Sequence, residues 1–351
     1  MKKFFIAFLL IVLLFGGFVY KLFHTQKNTT DATSISNKTR QIKTSITKLH
    51  TNLSPLAIEY MRSKEYPGSN LTIEQKLSPG PNYNRYLVSY KSDGLKIYGL
   101  LTVPTDQKPV GGWPVILFNH GYIPPASYST DSSYAVMVSP LASSHFIVFK
   151  PDYRGNGNSD GTAVQPYVSS DYITDSMNAL ASIKQYQDAN PQKIGVFGHS
   201  MGGNISLHEL VITHDIKAAE LMAGVVGNET DLAIWWSHRY AVHSIVGNDL
   251  NTYYIFEKMI QDNGSSLDNP TYWNAIDPTK YISYINIPVQ IQVGLSDEDV
   301  PVTFSSSLND LLIQNGKVVD YHSYPGADHN LEPDTTAAME TTIAFFNKYL
   351  K

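Results

Sequence analysis

The 351-residue sequence contains no cysteine. That absence excludes disulfides, thiolate metal sites, a cysteine nucleophile and lipid attachment through cysteine. Charged residues are also sparse, at 16%, and the net charge is -5. No lysine- and arginine-rich stripe runs along any segment, so nucleic acid is not an expected partner. Internal repeats and long low-complexity tracts are missing as well. The pair His208-Glu209 begins like a zinc-binding helix, but Ile212 stands where the second histidine would be needed, so no metal site and no cofactor is expected. What remains is a chain with 42% hydrophobic residues, long enough for one large buried core.

The one long apolar run lies at the start. Met1, Lys2 and Lys3 precede an uncharged stretch from Phe4 to Tyr20, closed by Lys21. As a helix rising 1.5 Å per residue it would reach roughly 25 Å, near the lower limit for crossing a bilayer. It is longer than the apolar region of most signal peptides, and Gly17-Phe18-Val19 is a poor small-x-small cleavage site. Residues 1–23 are therefore expected to be a single-pass anchor in the cell membrane with the bulk of the chain outside the cytoplasm; the alternative is secretion after signal cleavage. Residues 24–48, rich in Thr, Ser, Asn and Lys, carry too little apolar surface to offset chain entropy and are expected to form a polar stalk.

Residues 49–84 are expected to form a helical and extended segment packing on the main domain. Its helix would start at Leu53-Ser54-Pro55, with Ser54 as cap and Pro55 in the first turn, and would end before Tyr66-Pro67-Gly68. Tyr86 to Tyr90 and Leu95 to Val103 flank Ser92-Asp93-Gly94 as a β-hairpin. Beyond it, short apolar strands alternate with amphipathic helices. Strands are predicted at Val115 to Asn119, Phe146 to Lys150, Ile194 to Gly198, Ala219 to Ala223, Val289 to Val293 and Val318 to Tyr321. Helices are predicted at Asp171 to Asp188, at Asn204 to Val211 and at the C-terminus, where Met339, Ile343, Phe346 and Leu350 share a face. The alternation implies an α/β fold: a mostly parallel central sheet with helices on both faces. One aromatic stretch, about 228–285, is too long for a plain loop between strands and reads as a helical cap insertion in the domain 85–351.

Gly198-His199-Ser200-Met201-Gly202 falls between a predicted strand and a predicted helix. A serine on such a turn is strained and needs small neighbours two positions away, which Gly198 and Gly202 supply. A helix N-terminus beneath the hydroxyl favours negative charge there. An isolated serine hydroxyl scarcely ionises at neutral pH, so it needs a base. His329 follows the last predicted strand, and Asp297 follows the strand before it. The aspartate, closer to its strand end than Glu298 or Asp299, would fix the imidazole tautomer and stabilise the imidazolium. Taken singly, Asp297 could cap the next helix and His329 could be a solvated loop residue. Together the order Ser200, Asp297, His329 is that of a nucleophile, its orienting acid and its base.

An oxyanion formed at Ser200 would need two donors. The backbone N–H of Met201 is one, and the N–H of Tyr122, in the loop His120-Gly121-Tyr122 after an early strand, is the other. The Tyr122 side chain would form a pocket wall. Trp235, Trp236 and Trp273 either line an apolar pocket or pack within the insertion.

These motifs resemble the α/β-hydrolase superfamily, and particularly the catalytic domains of prolyl-oligopeptidase-like (S9-type) serine peptidases and their esterase relatives. Asp152-Tyr153-Arg154-Gly155-Asn156-Gly157-Asn158-Ser159 is similar to that family's D-x-R-G-x-G-x-S segment, and Asp297 to Pro301 to its D-x-x-V-P acid loop. The resemblance covers roughly Arg85 to Lys351. It implies that Asp152 and Arg154 are structural, and that the chain is a serine hydrolase acting through an acyl-enzyme on a small-molecule ester or peptide substrate. Two features depart from the pattern. The region before Arg85 is too short for the β-propeller of the family's peptidases, and His120-Gly121-Tyr122 replaces the tyrosine-before-glycine or double-glycine loop. A carboxylesterase without peptidase activity therefore stays open, as does a non-catalytic binding protein that keeps the fold.

Overall fold

The computed structural model describes residues 53–164, 166–242 and 248–351, without the side chains of 166, 236–242 and 248–255. The expected anchor (1–23) and stalk (24–48) lie outside the described residues.

A nine-stranded sheet forms the centre of the unit Ser54–Lys351. In chain order its strands are β1 (Thr72–Leu77), β2 (Tyr83–Ser92), β3 (Leu95–Pro104), β4 (Trp113–Asn119), β5 (Ile147–Pro151), β6 (Ala189–His199), β7 (Ala218–Met222), β8 (Val289–Gly294) and β9 (Val319–Tyr324). Spatially they run β1-β2-β3-β5-β4-β6-β7-β8-β9. The first three and the β3–β5 contact are antiparallel, and every pair from β5 to β9 is parallel.

Every residue of β4, β5, β7 and β8 is buried. Both faces of the sheet are covered, which is why Val115 to Phe118 and Ile147 to Phe149 read as continuous apolar runs, while Lys150, Glu220, Gln290 and Gln292 are polar side chains buried on these strands. Side chains still alternate between two cores. Val115 and Leu117 of β4, Ile147 and Phe149 of β5 and Val196 of β6 pack into one core with Ile173 and Leu180 of helix α3 (Asp171–Ile183), Ile205 of α4 (Met201–Ile212) and Phe304 and Leu308 of α8 (Val302–Gln314). Ile116, Phe118, Val148 and Phe197 face the other way, onto Met137 and Leu141 of α2 (Ala135–Ser143) and Met339 and Phe346 of α9 (Thr335–Leu350). Each such buried side chain contributes about 1.5–3 kcal/mol.

Two elements differ from expectation at the N-terminal side. Helix α1 spans Ile58–Ser63 with Ala57 at its cap. Ser54 does not cap it: its hydroxyl accepts the Leu56 N–H at 3.2 Å and its carbonyl the Ala57 N–H at 2.9 Å, so the serine closes a turn before the helix starts. The edge strand β1 is not among the predicted strands: five of its six residues are exposed, and its two apolar residues, Ile73 and Leu77, stand apart among polar ones.

Between β7 and β8 the insertion is helical, as expected: α5 (Glu229–Val242), α6 (Asn248–Asn263), α7 (Pro270–Ile276) and a 3-10 turn at Pro278–Tyr284. Of its residues, Trp273 and Ile276 are buried against Met259, and Phe256 and Ile282 are buried in the larger core. Among the described residues, no helix is long and apolar enough to cross a membrane.

Parallel strands bring their C-terminal ends to one edge, so the loops after β4, β6, β8 and β9 gather there. In open α/β sheets that edge is where ligands bind.

Candidate active site

Ser200 sits between the end of β6 and the start of α4 with φ 55° and ψ -122°, a conformation that an L-residue keeps only when its surroundings over-determine it. They do: its N–H donates to the Met222 carbonyl at 3.1 Å, and its carbonyl accepts from Gly203 and Val225 at 2.9 and 3.0 Å. Close packing sets the glycines beside it. A Cβ at Gly198 would lie 2.5 Å from the Gly202 carbonyl oxygen and from Ser206 Oγ, and one at Gly202 would fall on the Asn119 carbonyl oxygen.

His329 and Asp297 meet across the loops after β9 and β8. Nδ1 of His329 is 2.8 Å from Oδ2 of Asp297, and the aspartate side chain is fully buried. The other carboxylate oxygen accepts the N–H groups of Asp299 and Val300, each at 2.8 Å. Glu298 and Asp299 are exposed. With Nδ1–H donated to a fixed carboxylate, Nε2 of a neutral His329 is left with a lone pair able to take a proton.

The loop after β4 reaches the same place. A Cβ on Gly121 would lie 2.9 Å from the Ser200 Cβ, so the absence of a side chain lets this backbone abut the serine. The next N–H along is that of Tyr122. From the other side comes the N–H of Met201, first residue of α4, where helix geometry offers no intrahelical acceptor. Ser200, His329, Tyr122, Tyr134, His199 and Met137 line one cleft of about 470 Å³, with Ile123, Val136, Asn330, Glu332 and Thr335 completing its wall.

Trp235 is placed elsewhere. It packs edge-on against Phe304 at 5.9 Å, beside the larger core, and is not part of this cleft's lining. The Trp236 side chain lies outside the described residues. Trp273 is buried inside the insertion, its indole N–H donating to the Gly264 carbonyl at 3.0 Å.

The floor beneath the serine is polar and was not read from the sequence. Asn119 Nδ2 donates to Ser206 Oγ and Glu209 Oε2 at 2.9 and 2.8 Å, while its Oδ1 accepts from Ser176 and Tyr153. Burial pushes the Glu209 carboxyl up to about 8, because a low-dielectric site disfavours the charged form. Arg154 grips the buried Asp175 through Nε and Nη2 at 2.9 and 2.8 Å, and Asp152 accepts from Tyr128 and Thr130 with the buried Lys150 nearby. These contacts hold the loops around the site; neither Asp152 nor Arg154 is among the residues lining the cleft.

Tyr134 and His199 were also missed. The Tyr134 hydroxyl accepts the Gly121 N–H at 2.8 Å and lies 3.0 Å from His199 Nδ1; His199 Nε2 lies 3.1 Å from the His329 carbonyl. Position 199 lies inside the glycine-serine motif, whose spacing gives it no role of its own. Tyr134 precedes a helix hidden by its own Pro140.

A family model described as alpha/beta hydrolase fold matches residues 114–251. The uncharacterized peptidase YtmA of Bacillus subtilis is 24% identical over 265 residues, which cover 75% of this chain and 93% of that one. Dipeptidyl peptidase 8 of Mus musculus is 26% identical over 271 residues, 74% of this chain but 28% of that protein. Among solved structures, the acetyl xylan esterase from Paenibacillus sp. R4 superposes with a TM-score of 0.60 at 18% identity, over 84% of this chain and 92% of that one. With the sheet order and the loop geometry, these likenesses give one assignment: the chain has the α/β-hydrolase fold and is a hydrolase similar to S9-like peptidases and esterases.

Proposed function

We propose that the protein is a serine hydrolase that cleaves a peptide or carboxylic ester bond through an acyl-enzyme. Ser200 attacks the carbonyl carbon while His329 Nε2 takes the hydroxyl proton, and Asp297 holds the imidazolium that results. The N–H groups of Met201 and Tyr122 receive the oxyanion. His329 then gives its proton to the leaving alcohol or amine, and water repeats the cycle on the acyl-enzyme.

The observation that carries this reading is the buried Asp297 carboxylate on Nδ1 of His329, in the same cleft as a serine strained out of the helix. The peptidases and the esterase among its relatives support acyl transfer in general and do not choose between leaving groups. The deciding experiment treats the ectodomain and its Ser200→Ala variant with a fluorophosphonate probe, then offers p-nitrophenyl acyl esters and proline- or alanine-containing peptide anilides. Labelling that needs Ser200 is expected; equal labelling of the variant, or none of either, sinks the nucleophile assignment. Ester turnover without anilide cleavage would assign the chain to the esterases.

Residues 1–23 are proposed to hold this enzyme at the cell membrane with its catalytic domain outside the cytoplasm, on the strength of the uncharged run Phe4 to Tyr20 behind two lysines. Alkaline carbonate extraction of cells expressing the full chain tests this: release into the supernatant would overturn the anchor.

A further inference from the structure

The loop that carries Gly121 and Tyr122 and the loop that carries His329 belong to strands that are not neighbours: β4 lies beside β5 and β6, and β9 is at the sheet's far edge. Main-chain pairing in the sheet therefore does not fix one loop against the other. Two side chains span the gap, and the direction of every hydrogen bond between them follows from the chemistry of the ends.

The His329 carbonyl can only accept, so the proton of this contact is on His199 Nε2. In a neutral imidazole Nδ1 must then accept, and the only hydrogen available across its 3.0 Å contact is that of the Tyr134 hydroxyl. The same hydroxyl oxygen accepts the Gly121 N–H at 2.8 Å. The run is Gly121 N–H to Tyr134 O–H to His199 Nδ1, then His199 Nε2–H to the His329 carbonyl, with each donor meeting an acceptor. Burial holds His199 neutral, pushing its imidazole down to about 3, and raises the Tyr134 hydroxyl so that it keeps its proton. The rings are seated as well: Tyr134 stands edge-on to Phe118 at 5.6 Å, and His199 lies 4.9 Å from the His329 ring. Tyr134 is itself left-handed, at φ 65°, a backbone cost of about 1 kcal/mol or more at a non-glycine position.

We infer that Tyr134 and His199 are positioning residues, a directed hydrogen-bonded strap that sets the separation between the oxyanion-binding backbone at Gly121–Tyr122 and the base His329. The catalytic half of this inference rests on the roles proposed above for Ser200, His329 and Tyr122; the mechanical half does not.

Tyr134→Phe, His199→Gln, His199→Leu and the double variant Tyr134→Phe/His199→Leu separate the two halves. Hydrolysis of p-nitrophenyl acetate is measured per active site titrated with fluorophosphonate, and amide hydrogen exchange is followed in segments 119–124 and 327–331. Misplacement of reacting groups by about 1 Å costs up to roughly 100-fold, so kcat of Tyr134→Phe and His199→Leu is expected to fall on the order of 10- to 100-fold. KM should stay within about twofold, because the loss is in the transition state. His199→Gln, which keeps an N–H for the His329 carbonyl, should lose less than His199→Leu. The double variant should be no worse than the poorer single, as expected for members of one unit. Either substitution should speed exchange in both segments.

Unchanged kcat per titrated site, or additive losses in the double variant, overturns the positioning role. Exchange that quickens only in the segment a residue touches directly overturns the strap, including in a wild type that proves inert to the probe. Inert wild type with coupled exchange removes the nucleophile reading and leaves the strap standing as a mechanical link.

Discussion

Asp297 Oδ2 and His329 Nδ1 stand 2.8 Å apart across two loops that are themselves tied together. The Leu295 N–H donates to the Tyr324 carbonyl and the Ser296 N–H to the Ala327 carbonyl, both at 2.9 Å. Acid and base thus share one rigid platform at the end of β8 and β9. Asp297→Asn keeps the shape of the contact but allows the amide to donate to Nδ1, which favours the wrong tautomer. The expected result is a drop in kcat of roughly 10⁴-fold with KM little changed, measured on an activated ester. A loss below about tenfold would show that the carboxylate does not set the tautomer.

Gly202→Ala tests the turn that presents the serine. Its Cβ would fall on the Asn119 carbonyl oxygen, which belongs to the main chain of a central strand and has no room to retreat. Overpacking of this kind costs about 1–3 kcal/mol or more. Urea unfolding should register that loss, together with reduced labelling at Ser200.

Glu209 should leave a mark on the pH dependence of stability. Its folded-state pKa is raised from 4.5 to about 8, so between these values the native state holds a proton that the unfolded chain has released. Stability from this group is complete below pH 4.5, falls as pH rises through 8, and levels off above it. Glu209→Gln is expected to shallow the decline of Tm between pH 5 and 8. Some slope should persist, because Glu220 and Glu229 are buried with raised pKa values too. A variant as steep as the wild type would show that Glu209 is ionised throughout.

Trp235→Ala separates packing from recognition. The indole meets Phe304 rather than the cleft, so thermal stability should fall while KM for small esters stays within about twofold. For a partly buried tryptophan the loss should be smaller than the 3–5 kcal/mol of a full core truncation, about 1–3 kcal/mol. A large rise in KM with unchanged Tm would return this residue to the substrate pocket.

The architecture was legible because the strands that position the site are buried on both faces. Val115 to Phe118 announces itself as an unbroken apolar run, Val289 to Val293 as valine and isoleucine alternating with two glutamines, and a serine between a strand and a helix announces its turn. Legibility failed where the signal is not compositional. Strand β1 is an exposed edge, and α2 carries Pro140 and a left-handed residue at its start. Tyr134 and His199 matter through a hydrogen-bonded path that closes only when three loops meet, so no spacing in the chain betrays it. Trp235 illustrates the converse: an aromatic residue beside an expected cleft has the same sequence signature whether it faces substrate or a neighbouring phenylalanine.

The helices of 228–285 leave the sheet after β7 and rejoin it before β8, so they interrupt neither the serine's turn nor the acid and base platform. An insertion joined to the sheet at two adjacent points can be exchanged like a fitting. Lineages built on this scaffold are free to revise that insertion while inheriting the proton-handling groups unaltered.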